Sequence, residues 1–174
     1  MKLPRGGLLA LDLARFIGVA YGPLTERIPI HSDTWEMPKF GGTGCIGYSF
    51  QETLFEFLKE VKPGHIIMES TLPLPALNNR SAALQAFGMA YMVYAEAYNQ
   101  SISVSEIDAI TARREVLGTT LMGMTDKHRK TEILKRIRQK KIDAKRHDAA
   151  DAAVIWLWHR YRVGHIPGPL WEAA

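Results

Sequence analysis

The chain has 174 residues, 47% of them apolar and 23% charged, the balance of an ordinary globular protein large enough to bury a core without staples. The single cysteine, Cys45, excludes an intramolecular disulfide and points to a reducing cytoplasmic setting. No stretch reaches bilayer length, because the apolar run GLLALDLARFIGVA is interrupted by Asp12 and Arg15. Net charge is only +4, yet residues 127–146, KHRKTEILKRIRQKKIDAKR, hold ten Lys or Arg against one Glu and one Asp, a field suited to polyanions.

In chain order, GLLALDLA (7–14) is a short apolar run without helical period and reads as a buried strand. FIGVAYG (16–22) follows at once, so a hairpin turns near Ala14 and Arg15. A third strand falls around 28–36, its start blurred by Pro29. GTGCIG (42–47) satisfies G-x-G-x-x-G, but TWEMPKFG before it is no clean strand; it reads as a flexible loop with Cys45 a small packed residue. SFQETLFEFLKEV (49–61) has helical spacing and is stopped by Pro63-Gly64. HIIMES (65–70) is a buried strand, TLPLPALNN a loop, residues 80–98 a long helix and SISVSEI (101–107) a strand. From 109 onward the pattern is helical, with a break near 118–125. No repeat or linker divides the chain, so a single domain over 1–174 is expected: a mixed α/β layer with early antiparallel strands.

Four acids stand out. Asp12 lies inside the first strand, where aspartate packs poorly. Glu69 ends the strand HIIMES just before a loop, where a rigid sheet positions chemistry. Asp148 and Asp151 share a helix face one turn apart in RHDAADAAVIWLWHRY, a segment apolar enough to be buried. Alone, each has a bland explanation in a turn, a strand end or a helix start. Together they form a carboxylate cluster whose mutual repulsion requires a cation or a proton. Oxygen-only ligands suit Mg²⁺ or Mn²⁺, whereas zinc is disfavoured because no histidine pair has ligand spacing.

The segments LALDLARFIGVAYG, HIIMES and RHDAADAAV resemble, in the same order, those of RuvC-type Holliday junction resolvases in the RNase H-like superfamily. The resemblance implies a five-stranded mixed sheet, first three strands antiparallel, with helices on both faces. It implies two divalent metals held by Asp12, Glu69, Asp148 and Asp151, and a homodimer that makes paired nicks in four-way DNA junctions. Positions 13 and 14, often Pro-Gly in that family, are Leu-Ala here, as in a phage or divergent branch. The family's basic residues correspond to Arg113 or Arg114 and to Lys127 or Lys130.

In such a site two metals about 3.5–4 Å apart hold attacking and leaving oxygens in line. Asp12, fixed on a central strand, would bridge them. Lys130, or after it Lys127, would stabilise developing phosphate charge, and His147 would assist proton transfer or bind phosphate. Further DNA contacts are expected from Arg129 in the basic block and from Asn78, Asn79 and Arg80 at a helix start. Helix 80–98 is apolar on nearly every face, a surplus that argues for a second partner, and the resemblance places the dimer interface there.

Three rivals remain: a YqgF-like nuclease of the same fold acting on structured RNA, an actin-like ATP-binding protein, for which the chain is short, and a non-catalytic nucleic-acid-binding module.

Overall fold

The computed structural model describes residues 3–40, 42–70, 80–119 and 121–163. Five strands, β1 (Leu8–Asp12), β2 (Phe16–Gly22), β3 (His31–Glu36), β4 (His65–Glu69) and β5 (Ser103–Ile107), form one sheet in the order β3-β2-β1-β4-β5. β1, β2 and β3 are antiparallel neighbours, and β4 and β5 join parallel to β1. The five-stranded mixed sheet is as expected, with β1 at its centre.

Strand alternation divides the core in two. Leu9 and Leu11 of β1, with Ile17, Val19, Tyr21, Ile66 and Met68, face helices α1 (Gly42–Val61) and α2 (Arg80–Asn99). Leu8, Ala10, Ala20, Ile67 and Ile107 face the other way, onto α3 (Ala109–Leu117), α4 (Asp126–Gln139) and α5 (His147–Val163). The expected helical break separates α3 from α4. Gly118 closes α3 in the left-handed conformation, and Thr125 caps α4 by accepting from the His128 N–H.

α5 is the buried helix the sequence suggested. Ala149 to Leu157 are all withdrawn from solvent between the sheet and α3 and α4. Its alanines face the small residues of β2. A Cβ on Gly18 would stand 1.9 Å from the Asp148 carbonyl oxygen and 3.2 Å from the Ala152 methyl. Farther along, the Trp156 indole N–H donates to the Leu8 carbonyl at 3.1 Å, which fixes the helix lengthwise on β1.

One expectation is corrected. GTGCIG is not a loop: α1 begins at Gly42 and runs through it, and Cys45 is exposed rather than packed. Residues 42–45 all face solvent, so this first turn buries nothing and leaves no apolar pattern to read. No helix of the described residues is long and apolar enough to cross a membrane.

Gly18→Ala is expected to cost about 1–3 kcal/mol, the usual penalty of overpacking, by forcing the start of α5 off the sheet. Chemical denaturation of the two proteins measures it; an unchanged midpoint would mean that the close approach does not constrain the helix.

Candidate active site

Strand parity gathers the acids. Asp12 has the parity of Leu8 and Ala10, and Glu69 that of Ile67, so both carboxylates emerge on the α5 face at the C-terminal ends of neighbouring parallel strands. Asp12 pairs across the sheet with Gly18, the residue on which the Asp148 backbone rests. The first turn of α5 is thereby set beside Asp12. Asp151, one turn on, is buried, and its Oδ1 accepts a hydrogen bond from the Arg113 guanidinium of α3 at 3.2 Å.

The electrostatics follow from this placement. Asp12 keeps part of its surface open to solvent, but its carboxyl is surrounded by protein. Burial first, then the charges of Glu69, Asp151 and Asp148, push Asp12 well above the usual carboxylate range. Glu69 is also raised by burial, against the pull of Arg113 and a hydrogen bond from Asp12. Burial raises Asp151 too, while Arg113 and Lys130 oppose the rise.

Alternatives left open by the sequence separate in space. Arg113 reaches Asp151 and acts on Glu69, whereas Arg114 is exposed and acts on Glu115. Lys130 is half-buried and its charge acts on Asp151; Lys127 is exposed on the first turn of α4. Arg129 pairs with Asp126. His147 places Nδ1 at 3.0 Å from the Lys130 carbonyl. Donation from Nδ1 to that carbonyl leaves Nε2 as the basic nitrogen. Asn78 and Asn79 lie outside the described residues, as does the side chain of Arg80, the first residue of α2.

Two residues went unnoticed in the sequence. Asp108 caps α3, accepting from the Thr111 N–H at 2.8 Å, and its charge raises Glu69. Its signal is an aspartate at a strand-to-helix junction, the usual place for a cap. Gly18 is a glycine inside a strand, a mark of close backbone approach.

The donor set fits hard divalent cations. It is all oxygen, partly buried, and sets four carboxyls against the two nearby cations Arg113 and Lys130. The acids are neighbours rather than a closed cage: among the described residues no three His, Cys, Asp or Glu side chains are grouped so as to hold an ion as they stand. Asp151 retains a second oxygen for a metal while Oδ1 stays on Arg113.

No family model matches the chain, and no curated protein does. Solved structures do. Thermus thermophilus RuvC in complex with a Holliday junction substrate superposes with a TM-score of 0.70 at 13% identity, over 91% of this chain and 94% of that one. The fold is RuvC-like. Thermus thermophilus RuvC in a second structure matches with a TM-score of 0.67 at 14% identity, over 94% and 99% of the two chains. The yeast mitochondrial Holliday junction resolvase matches at 0.56 and 14%, over 95% of this chain and 83% of that one. At these identities the likeness is one of fold, and it agrees with the resemblance carried by the three sequence segments.

The raised acids set a pH dependence. A group whose folded pKa lies above its ordinary value, 3.8 for Asp and 4.5 for Glu, stabilises fully below that value; the contribution is lost as pH rises through the folded pKa. At neutral pH without divalent ions, ionised Asp12 therefore opposes folding. Asp12→Asn in EDTA should melt roughly 2–4 °C above wild type at pH 7, the shift expected of about 1 kcal/mol in a chain of this size. The gap should close on acidification. A lower melting temperature for Asp12→Asn at pH 7 would show that the acids do not repel one another.

Proposed function

We propose that this chain is a single-domain, magnesium-dependent endonuclease that resolves four-way DNA junctions as a homodimer. The observation that carries this reading is the convergence of Asp12, Glu69, Asp148 and Asp151 from two strands and a helix onto one partly buried spot. It is supported by the fold shared with a RuvC bound to a Holliday junction substrate and with a mitochondrial Holliday junction resolvase.

The four carboxylates would hold two Mg²⁺ or Mn²⁺ ions, which when bound supply activation of water and stabilisation of the leaving oxygen. The remaining chemistry falls to the chain. Arg113 and Lys130 set positive charge at the acids, where a phosphate gaining charge in the transition state would be stabilised. His147, its Nδ1 turned to the Lys130 carbonyl, offers Nε2 to accept a proton or hold a phosphate. Arg114, Lys127, Arg129, Asn78, Asn79 and Arg80 are assigned to phosphates farther from the cut, and the basic surface of α4 to the arms of the junction. The exposed thiol of Cys45 accords with a reducing, cytoplasmic setting.

Dimerisation is assigned to α2. Met89, Ala90, Val93 and Ala97 bury one side of that helix against its own sheet. Leu84, Tyr91 and Tyr98, 53%, 73% and 85% exposed, mark the other side at seven-residue intervals, with Gly88 and Ala95 between them. That alternating four-and-three spacing is the seam of two packed helices. Tyr91→Glu combined with Tyr98→Glu should convert a dimer to a monomer in sedimentation velocity without altering the circular dichroism of the chain. A wild-type monomer at all concentrations would remove the dimer from the proposal.

The activity is tested with the purified chain on a synthetic four-way junction, a linear duplex and a structured RNA, each with Mg²⁺, Mn²⁺ or EDTA. Paired nicks in the junction alone, dependent on the metal, are expected. Asp12→Asn should retain junction binding while cleavage falls by at least about a thousandfold, since a metal site supplies several kcal/mol. Preference for the RNA would move the chain to the RNA-directed branch of the fold. Absence of cleavage with either metal would refute a nuclease.

A further inference from the structure

Beside the acids, the side chains of Phe16, Glu36 and Arg146 form a second constellation. Phe16 opens β2 and Glu36 ends β3, and the two are direct cross-strand partners. Phe16 has the parity of Gly18, which rests against Asp148 two residues farther along β2. Arg146 precedes Asp148 by the same two residues, so the crossing of chain and strand that seats Asp148 on Gly18 also lays Arg146 on Phe16. Its guanidinium stands 4.4 Å from the ring centroid and is ion-paired through Nη1 with Glu36. A second guanidinium, that of Arg15, lies 5.7 Å from the same centroid.

Stability does not account for this arrangement. Exposed ion pairs contribute little, about 0–1 kcal/mol; the Arg146 and Glu36 side chains are 40% and 56% exposed. Two guanidiniums lie about one ring, and the carboxylate there, Glu36, is paired with Arg146, so the group carries one positive charge in excess. The ring and the carboxylate hold Arg146, with Nη1 on Glu36, and a guanidinium carries further N–H donors in a rigid planar fork. A fork held in this way suits the oxygens of a phosphodiester.

We propose that Arg146, clamped between Phe16 and Glu36 and assisted by Arg15, binds a non-scissile phosphate next to the bond being cut. Arg146 is a positioning residue: it fixes the strand on which the acids act. The two-residue offset along β2, about 7 Å, places this contact one step along the strand from the acids. The proposal rests on the nuclease reading above and adds to it the residue that sets strand register.

The test uses the full chain with EDTA and a synthetic four-way junction, measuring binding across a salt series. A lost phosphate contact lowers the slope of log K against log salt by about 0.7–0.9. Arg146→Gln is expected to show that loss, and Arg146→Lys to restore the slope. Junctions carrying one uncharged methylphosphonate beside the cut should bind wild type several-fold more weakly and Arg146→Gln no differently from unmodified DNA. Phe16→Leu, which removes the ring face but keeps an apolar side chain, should show a smaller loss of the same kind and serves where Arg146→Gln does not fold. Equal slopes for wild type and both variants, or equal sensitivity to the methylphosphonate, overturn the clamp alone, provided that wild type still cuts the junction. A wild type that neither binds nor cuts it overturns the nuclease reading and the clamp together.

Discussion

The start of α5 lies so close to β2 that only a hydrogen fits between the Asp148 carbonyl and the strand, and the geometry of the acids follows from that contact. Gly18 supplies the space against Asp148 and Ala152, and Gly22, farther along β2, leaves room for the Trp156 ring, so the helix lies close to the strand. Because Gly18 is the partner of Asp12, close packing and the assembly of the acids are one event. A larger side chain at 18 would separate Asp148 from Asp12 by the thickness it added. Dense packing turns a local steric rule into a functional distance.

That contact creates an electrostatic problem which the surroundings reduce only in part. Placing Asp148 in the first turn of α5 puts one carboxylate where the helix dipole is positive. Arg113 answers Asp151 from α3, and Lys130 approaches from α4, so helices of the same layer supply the countercharge. Burial and the charges of Glu69, Asp151 and Asp148 all raise Asp12, so its carboxyl has the least compensation of the four. What remains is a spot whose neighbours still push carboxyls toward the protonated form. Such residual repulsion would favour the uptake of a small, highly charged cation, and it is absent from sites whose acids are each fully paired.

Much of this was legible in the sequence because strand parity and helical spacing are local. The parity of Asp12 with Leu8 and Ala10, and of Glu69 with Ile67, needed only period two; the pairing of Asp148 with Asp151 needed only the helical turn. The antiparallel start of the sheet followed from the short hairpin at Ala14 and Arg15, and its mixed character from the helices between later strands. The choice between Arg113 and Arg114, or Lys127 and Lys130, was not local: it depends on how α3 and α4 are rotated about their axes, which the exposed basic residues of α4 do not constrain. The first turn of α1 was missed for a related reason. Gly42, Thr43, Gly44 and Cys45 bury nothing, so neither propensity nor pattern marked them as helix. Phe16, Glu36 and Arg146 are separated by up to 130 residues and meet only through register and the crossing of α5, which no window along the chain contains.

The sheet also separates two tasks by its faces. The acids lie on the α5 face, and α2, with its outward tyrosines, covers the other. In the proposed dimer the two sheets would turn their α2 faces toward each other and their acids outward. Layers of about 10 Å, with a helix contact of 8–10 Å at the centre, put the two acid clusters roughly 30 Å apart. The major groove of a duplex is only about 12 Å wide, so adjacent phosphates across it would not reach both clusters. Two strands held well apart, as where duplex arms diverge from a branch point, would reach both. In the proposed dimer, a preference for branched DNA would therefore need no base contact. It would depend instead on the angle between the strands as well as on which face of the sheet carries the acids and which the proposed partner copy.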